Sequence, residues 1–163
     1  MRRIFLSLTI AIGFAASAAA EPPLRFRVEP VEFTLTGVCS FDVHVSDVRV
    51  HGNDLVFFDS QGDVSKEIVA GNFVTTYTNT ATGESLTLNI SGQFFITPNA
   101  DGSLAYAAHG RNVLFTAEPE PLLVFHRGRT DLTITFTEES FELVIHELRG
   151  QGVDVCEALA GAA

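Results

Sequence analysis

Apolar and polar residues alternate along most of the chain with a period of two. In Phe41-Asp42-Val43-His44-Val45 the odd positions are apolar and the even ones polar, the pattern of a strand with one packed face. Val48 and Val50 fall on the even register, which predicts a bulge or turn near Ser46-Asp47. Gly52-Asn53-Asp54 reads as a turn before the apolar run Leu55–Phe58. Phe73–Thr78 is rich in Thr, Val and Tyr, as strands prefer, and Leu86, Leu88 and Ile90 share one face after the loop Asn79–Gly83. Phe94–Thr97 runs into Pro98-Asn99-Ala100-Asp101-Gly102, a hairpin signal, and Leu104–Ala108 returns. Short apolar runs at Asn112–Phe115 and Leu122–His126 flank Glu118-Pro119-Glu120-Pro121. Leu132, Ile134 and Phe136 alternate with threonines, Glu138-Glu139-Ser140 turns the chain, and Phe141, Leu143 and Ile145 alternate back. Only Val153–Ala160 carries a helical pattern.

This predicts an all-β fold of about eight to ten short strands with no helical crossovers, hence an antiparallel sheet. A sheet of that size must manage its edges. The reading is an antiparallel barrel with a short C-terminal helix, and a β-sandwich is the alternative. Residues 38–163 form the domain, and residues 21–37, with Pro22, Pro23 and Pro30, form an extended lead-in and first strand.

Residues 1–20 stand apart. Arg2 and Arg3 precede an apolar stretch from Ile4 to Ala16, and Ala18-Ala19-Ala20 offers the small side chains a signal peptidase requires. This is a secretory signal with cleavage between Ala20 and Glu21. The apolar run is too short to span a bilayer, and no later segment is long enough. Arg2-Arg3-Ile4-Phe5-Leu6 is similar to a twin-arginine core, but the short leading region favours the general secretory route.

Cleavage shortens the chain from 163 residues to 143 and removes two arginines, so the net charge moves from −10 to −12. So acidic a protein lacks the basic face that nucleic acid or an anionic membrane demands. An exported monomer in an oxidising compartment is expected. Cys39 and Cys156 are its only cysteines and bracket most of the domain, so one intramolecular disulfide is expected. The alternative is a pair of free thiols, although neither lies in a Cys-x-x-Cys context or beside a His or Lys.

Candidate chemistry is sparse. The five histidines show no metal-ligand spacing, and no metal or cofactor is expected. His44 and His146 alternate with apolar neighbours and should face solvent. Phe125-His126-Arg127-Gly128-Arg129 is the densest polar cluster, placed at a strand end or charged turn. His126 beside Arg127 and Arg129 suits an anion or carboxylate contact or acid–base chemistry, and Arg111, in a Gly110-Arg111-Asn112 turn, suits an anion contact at a barrel mouth. No Gly-x-Ser-x-Gly elbow or phosphate loop is present, and Glu138-Glu139 sits in a turn that suits no two-carboxylate mechanism. The 12 phenylalanines left after cleavage of the 14 serve the core, or line a barrel holding a small apolar ligand.

Several segments resemble a group of secreted actinobacterial β-proteins of no known activity. They are Val38–Val43, Thr78–Gly92 with its Asn-x-x-Thr-Gly turn, Asp101-Gly102, Gly110–Phe115 and Val153–Leu159. The resemblance implies a small all-β domain with a terminal disulfide, and assigns no functional residue. The function expected is a non-enzymatic secreted module that binds a small apolar molecule or another extracellular protein. A second reading is a small-barrel enzyme of cyclase or isomerase type, since barrels of this size resemble the lipocalin and allene oxide cyclase architectures by fold alone. A third is an inhibitor that presents Ala117–Pro121.

Overall fold

The structure, a computed structural model, describes residues 22–116, 120–137 and 141–161, so the expected signal segment and cleavage point lie outside the described residues. Along the chain come β1 (Leu24–Arg27), β2 (Glu32–Leu35), β3 (Val43–Phe58), β4 (Val64–Asn79), β5 (Ser85–Asn89), β6 (Gly92–Pro98), β7 (Leu104–Thr116), β8 (Leu122–Phe136), β9 (Phe141–Asp154) and α1 (Val155–Ala160). All described ladders are antiparallel, as a chain without crossovers requires. One nine-stranded sheet runs β1-β3-β4-β6-β7-β8-β9, with β2 also on β3 and β5 also on β4.

The all-β class and the terminal helix match expectation, but the sheet is not closed into a barrel. Among the described residues its end strands β1 and β9 do not pair, which brings it nearer the sandwich alternative. The strands are also longer than expected. β3 and β4 have 16 residues each, and β7, β8 and β9 have 13 to 15. Three expected turns or strand ends, Gly52–Asp54, Gly110–Asn112 and Phe125–Arg129, lie inside β3, β7 and β8. The bulge expected near Asp47 is present between Asp47 and Arg49.

A row of glycines explains both corrections. Gly52 pairs with Gly71, Gly92 with Gly110, Gly110 with Gly128, and Gly128 with Gly150. The Ala70–Gln93 pair brings the two halves of the row alongside. Gly110, Gly128 and Gly150 have φ of 112°, 149° and 142°, where side chains are rarely accommodated. A Cβ on Gly128 would strike the Arg149 carbonyl oxygen, and one on Gly150 the Arg127 carbonyl oxygen. Strands can approach and bend sharply along such a row.

They do bend. His126 and Thr130 are four residues apart on β8, which is about 13 Å in a straight strand. Their side chains are nevertheless hydrogen-bonded at 3.1 Å across Gly128. Phe115 and Phe141 lie at opposite ends of the β7–β8–β9 ribbon, about 40 Å apart if it were straight. Their rings meet edge-on with centroids 6.3 Å apart. The ribbon is therefore folded over along its strands at the glycine row. A barrel closes by coiling across its strands, and this sheet spends its curvature in the other direction.

The main core lies beyond the crease, where Leu35, Val38, Val43, Val45, Tyr77, Leu123, Val155 and Leu159 pack together. Helix α1 has only six residues and could not stand alone. Asp154 caps it by accepting the Glu157 amide at 3.0 Å, and the Asn79 side-chain amide donates to the Leu159 carbonyl at 3.3 Å. Val155 and Leu159 are fully buried, each worth about 2 kcal/mol. The Cys39–Cys156 disulfide, with Cα atoms 5.5 Å apart, ties the helix to the segment before β3.

Candidate functional site

The crease brings together side chains that a straight ribbon would separate. Asn112 on β7 is directly opposite His126 on β8, and Thr130 follows on the other side of the Gly110–Gly128 pair. All three are buried, at 1%, 1% and 0% exposure. The Asn112 side-chain amide donates to Thr130 Oγ1 at 3.4 Å. Thr130 Oγ1 lies 3.1 Å from His126 Nδ1. Either atom can donate in this pair, according to the imidazole tautomer. Nε2 and Asn112 Oδ1 are both buried with no partner among the described residues.

Burial holds the His126 imidazole below its ordinary pKa of 6.5. The unfolded chain then binds the extra proton between the lowered folded value and 6.5, so this contribution is complete above 6.5 and is lost as pH falls through the folded value. His126→Gln should flatten that part of a stability–pH curve, whose slope from one proton is at most about 1.4 kcal/mol per pH unit. Urea denaturation of both proteins from pH 4 to 8, roughly the span in which a histidine titrates, measures it. Parallel curves would refute the assignment.

An apolar groove of about 280 Å³ opens outward from the crease. Leu114 and Leu132 line it, each the next residue on the same face beyond Asn112 and Thr130. Tyr106, Ile134, Phe141 and Leu143 continue its walls. Tyr106 stacks on Phe94 at 6.1 Å, and burial pushes its phenol pKa well up, so it stays neutral. The outer rim is exposed, with Phe136 at 58% and Phe141 at 43%. The groove's volume is close to the lower end of small-molecule sites, about 300 Å³, and its walls are apolar apart from the Tyr106 hydroxyl.

The residues singled out in the sequence do not form one cluster. His126 points to the buried face. Arg111 and Arg127 occupy the next rung, opposite each other, one partly buried and the other exposed, with no ion pair among the described residues. Arg129 is held at the surface by Asp131 at 2.6 Å and Glu147 at 3.3 Å. The Arg129 hydrogen bond keeps the Asp131 carboxyl below its usual range. His44 sits 3.2 Å from Glu32, and exposed His146 bonds Thr133 at 2.8 Å. No group of three or more metal-ligating side chains is found among the described residues. Residues 117–119 and Glu138-Glu139 lie outside them.

Like charges facing each other across a ladder are unfavourable. Arg127→Gln should therefore stabilise the fold by about 0.5 kcal/mol at low salt, with the gain shrinking as ionic strength rises. A loss of stability in urea titrations would show that Arg127 has a favourable partner.

Two features escaped the sequence. Asn112 and Thr130 were invisible as partners of His126 because only the crease joins them. Asp54 on β3 and Glu67 on β4 form the second. Burial, and then the Asp54 carboxyl hydrogen-bonded to it, push the Glu67 pKa up. The glycines at 52, 71, 92, 110, 128 and 150 recur every 18 to 22 residues, and that spacing was the available signal. No protein family, curated protein or solved structure matches the chain.

Proposed function

We propose that this chain is an exported, monomeric β-protein that binds a small apolar molecule in the groove beside the glycine crease. The groove carries the reading. Apolar side chains from three strands line a concavity whose rim stays open, and water filling it would gain little from such walls. The leader-like residues 1–20, the cysteine pair and the acidic balance support export by the general secretory route, with cleavage after Ala20. The described helix is too short to cross a membrane.

Native mass spectrometry of the protein purified from its own culture medium tests it. The expected spectrum contains a species heavier than the mature chain that loses a small neutral molecule on activation. Leu132→Glu, which sets a charge in the groove wall, should abolish that species. Persistence of the bound mass in this variant would place the ligand elsewhere.

A further inference from the structure

We propose that Tyr106 is the polar anchor of the groove, and that the groove's ligand is an uncharged, largely apolar molecule carrying a hydrogen-bond acceptor, such as a ketone or an ester. This rests on the groove being a binding site and adds the chemistry of its ligand. Tyr106 is directly opposite Leu132 on the β7–β8 ladder, so both side chains lie on the groove-facing side. Its ring is restrained by stacking on Phe94, with centroids 6.1 Å apart. The hydroxyl makes no hydrogen bond to the protein among the described residues. It is also not sealed in, unlike the unpartnered atoms of Asn112 and His126. It is the one polar side-chain group among the residues that line the groove. A tyrosine hydroxyl in such surroundings usually has a hydrogen-bond partner, and the groove's occupant is the molecule placed to supply it.

The phenol selects by its chemistry. A phenol O–H can donate and accept, but delocalisation of its oxygen lone pairs into the ring makes it chiefly a donor. Burial keeps the Tyr106 phenol protonated at neutral pH, so that donor is always present. The ligand therefore needs an acceptor. A pure hydrocarbon leaves the O–H unused. A carboxylate accepts, but it would enter a groove lined by no cationic side chain. An ammonium cannot accept, and no carboxylate among the lining residues balances its charge. An uncharged carbonyl meets the donor without either cost, while Leu132, Ile134 and Leu143 cover the apolar remainder.

The test uses small aromatic probes with the same number of heavy atoms: acetophenone, cumene, benzoate and 1-phenylethylammonium. Each is titrated calorimetrically at neutral pH into the disulfide-bonded protein and into Tyr106→Phe, which removes only the hydroxyl. Acetophenone should bind the variant about fivefold more weakly, the worth of one hydrogen bond, and cumene should bind both proteins equally. The two ions should bind wild-type protein more weakly than acetophenone does. An equal change for acetophenone and cumene overturns the anchor and leaves the groove standing. So does tightest binding by either ion. Failure of every probe to bind wild-type protein overturns the groove as well. The carbonyl stretching frequency of acetophenone bound to wild-type protein gives a second readout that needs no variant. It should lie below its value in an alkane, as a hydrogen-bonded carbonyl requires, and an unlowered frequency overturns the anchor.

Discussion

Gly128→Ala should destabilise the protein by about 3–5 kcal/mol, a large part of the total stability of a domain this size. Two costs add. At a φ of 149° an L side chain is strained, by about 1–3 kcal/mol. The new methyl would also collide with the Arg149 carbonyl oxygen and the Gly150 backbone, and neither can move without breaking the ladder, which adds about 1–3 kcal/mol. Two controls separate these costs. Gly83 has a φ of 80° with nothing within 4 Å of a built Cβ, so Gly83→Ala should cost only about 1 kcal/mol. At Gly152 a Cβ would meet only the Val124 side chain at 3.3 Å, so Gly152→Ala should change stability by less than about 1 kcal/mol. Urea midpoints of the three variants give the comparison. Equal costs at Gly128 and Gly83 would mean that the strands do not crowd at the crease.

Replacing Cys39 and Cys156 together by alanine should cost about 4 kcal/mol and lower Tm by about 10 °C. The bridge spans 117 positions, so its loss frees a long loop in the unfolded chain. It also leaves α1 held only by its cap, the Asn79 contact and two buried side chains. Amide exchange in Val155–Ala160 should accelerate more than exchange in β3 or β8. Thermal unfolding with and without reductant checks the magnitude. Two reactive thiols in the denatured, unreduced protein would refute the bridge.

The strands were legible because alternation is a local property. Leu132, Ile134 and Phe136 declare a packed face within five residues, and their partners Ile145, Leu143 and Phe141 answer in register. The disulfide was legible because two cysteines leave one intramolecular pairing. Closure was not, because it depends on whether β1 meets β9, strands separated by more than 100 residues. The crease was missed for a related reason. A lone glycine beside polar residues, such as Gly52, Gly110 or Gly128, reads as a turn. Their role exists only in the register that aligns them. In the sequence His126 stands among arginines, which reads as a strand end or charged turn. The fold instead separates it from Arg127 by one side of the strand and joins it to Thr130, four residues on.

The folding-over of the β7–β8–β9 ribbon is the claim on which the groove depends. A nuclear Overhauser spectrum of the protein, with Phe115 and Phe141 selectively labelled, tests it most directly. The expected result is a cross-peak between the two rings, whose centroids are 6.3 Å apart and edge-on. No cross-peak, with the β7–β8 and β8–β9 ladders intact in the same spectrum, would mean a ribbon that stays straight and would contradict the account.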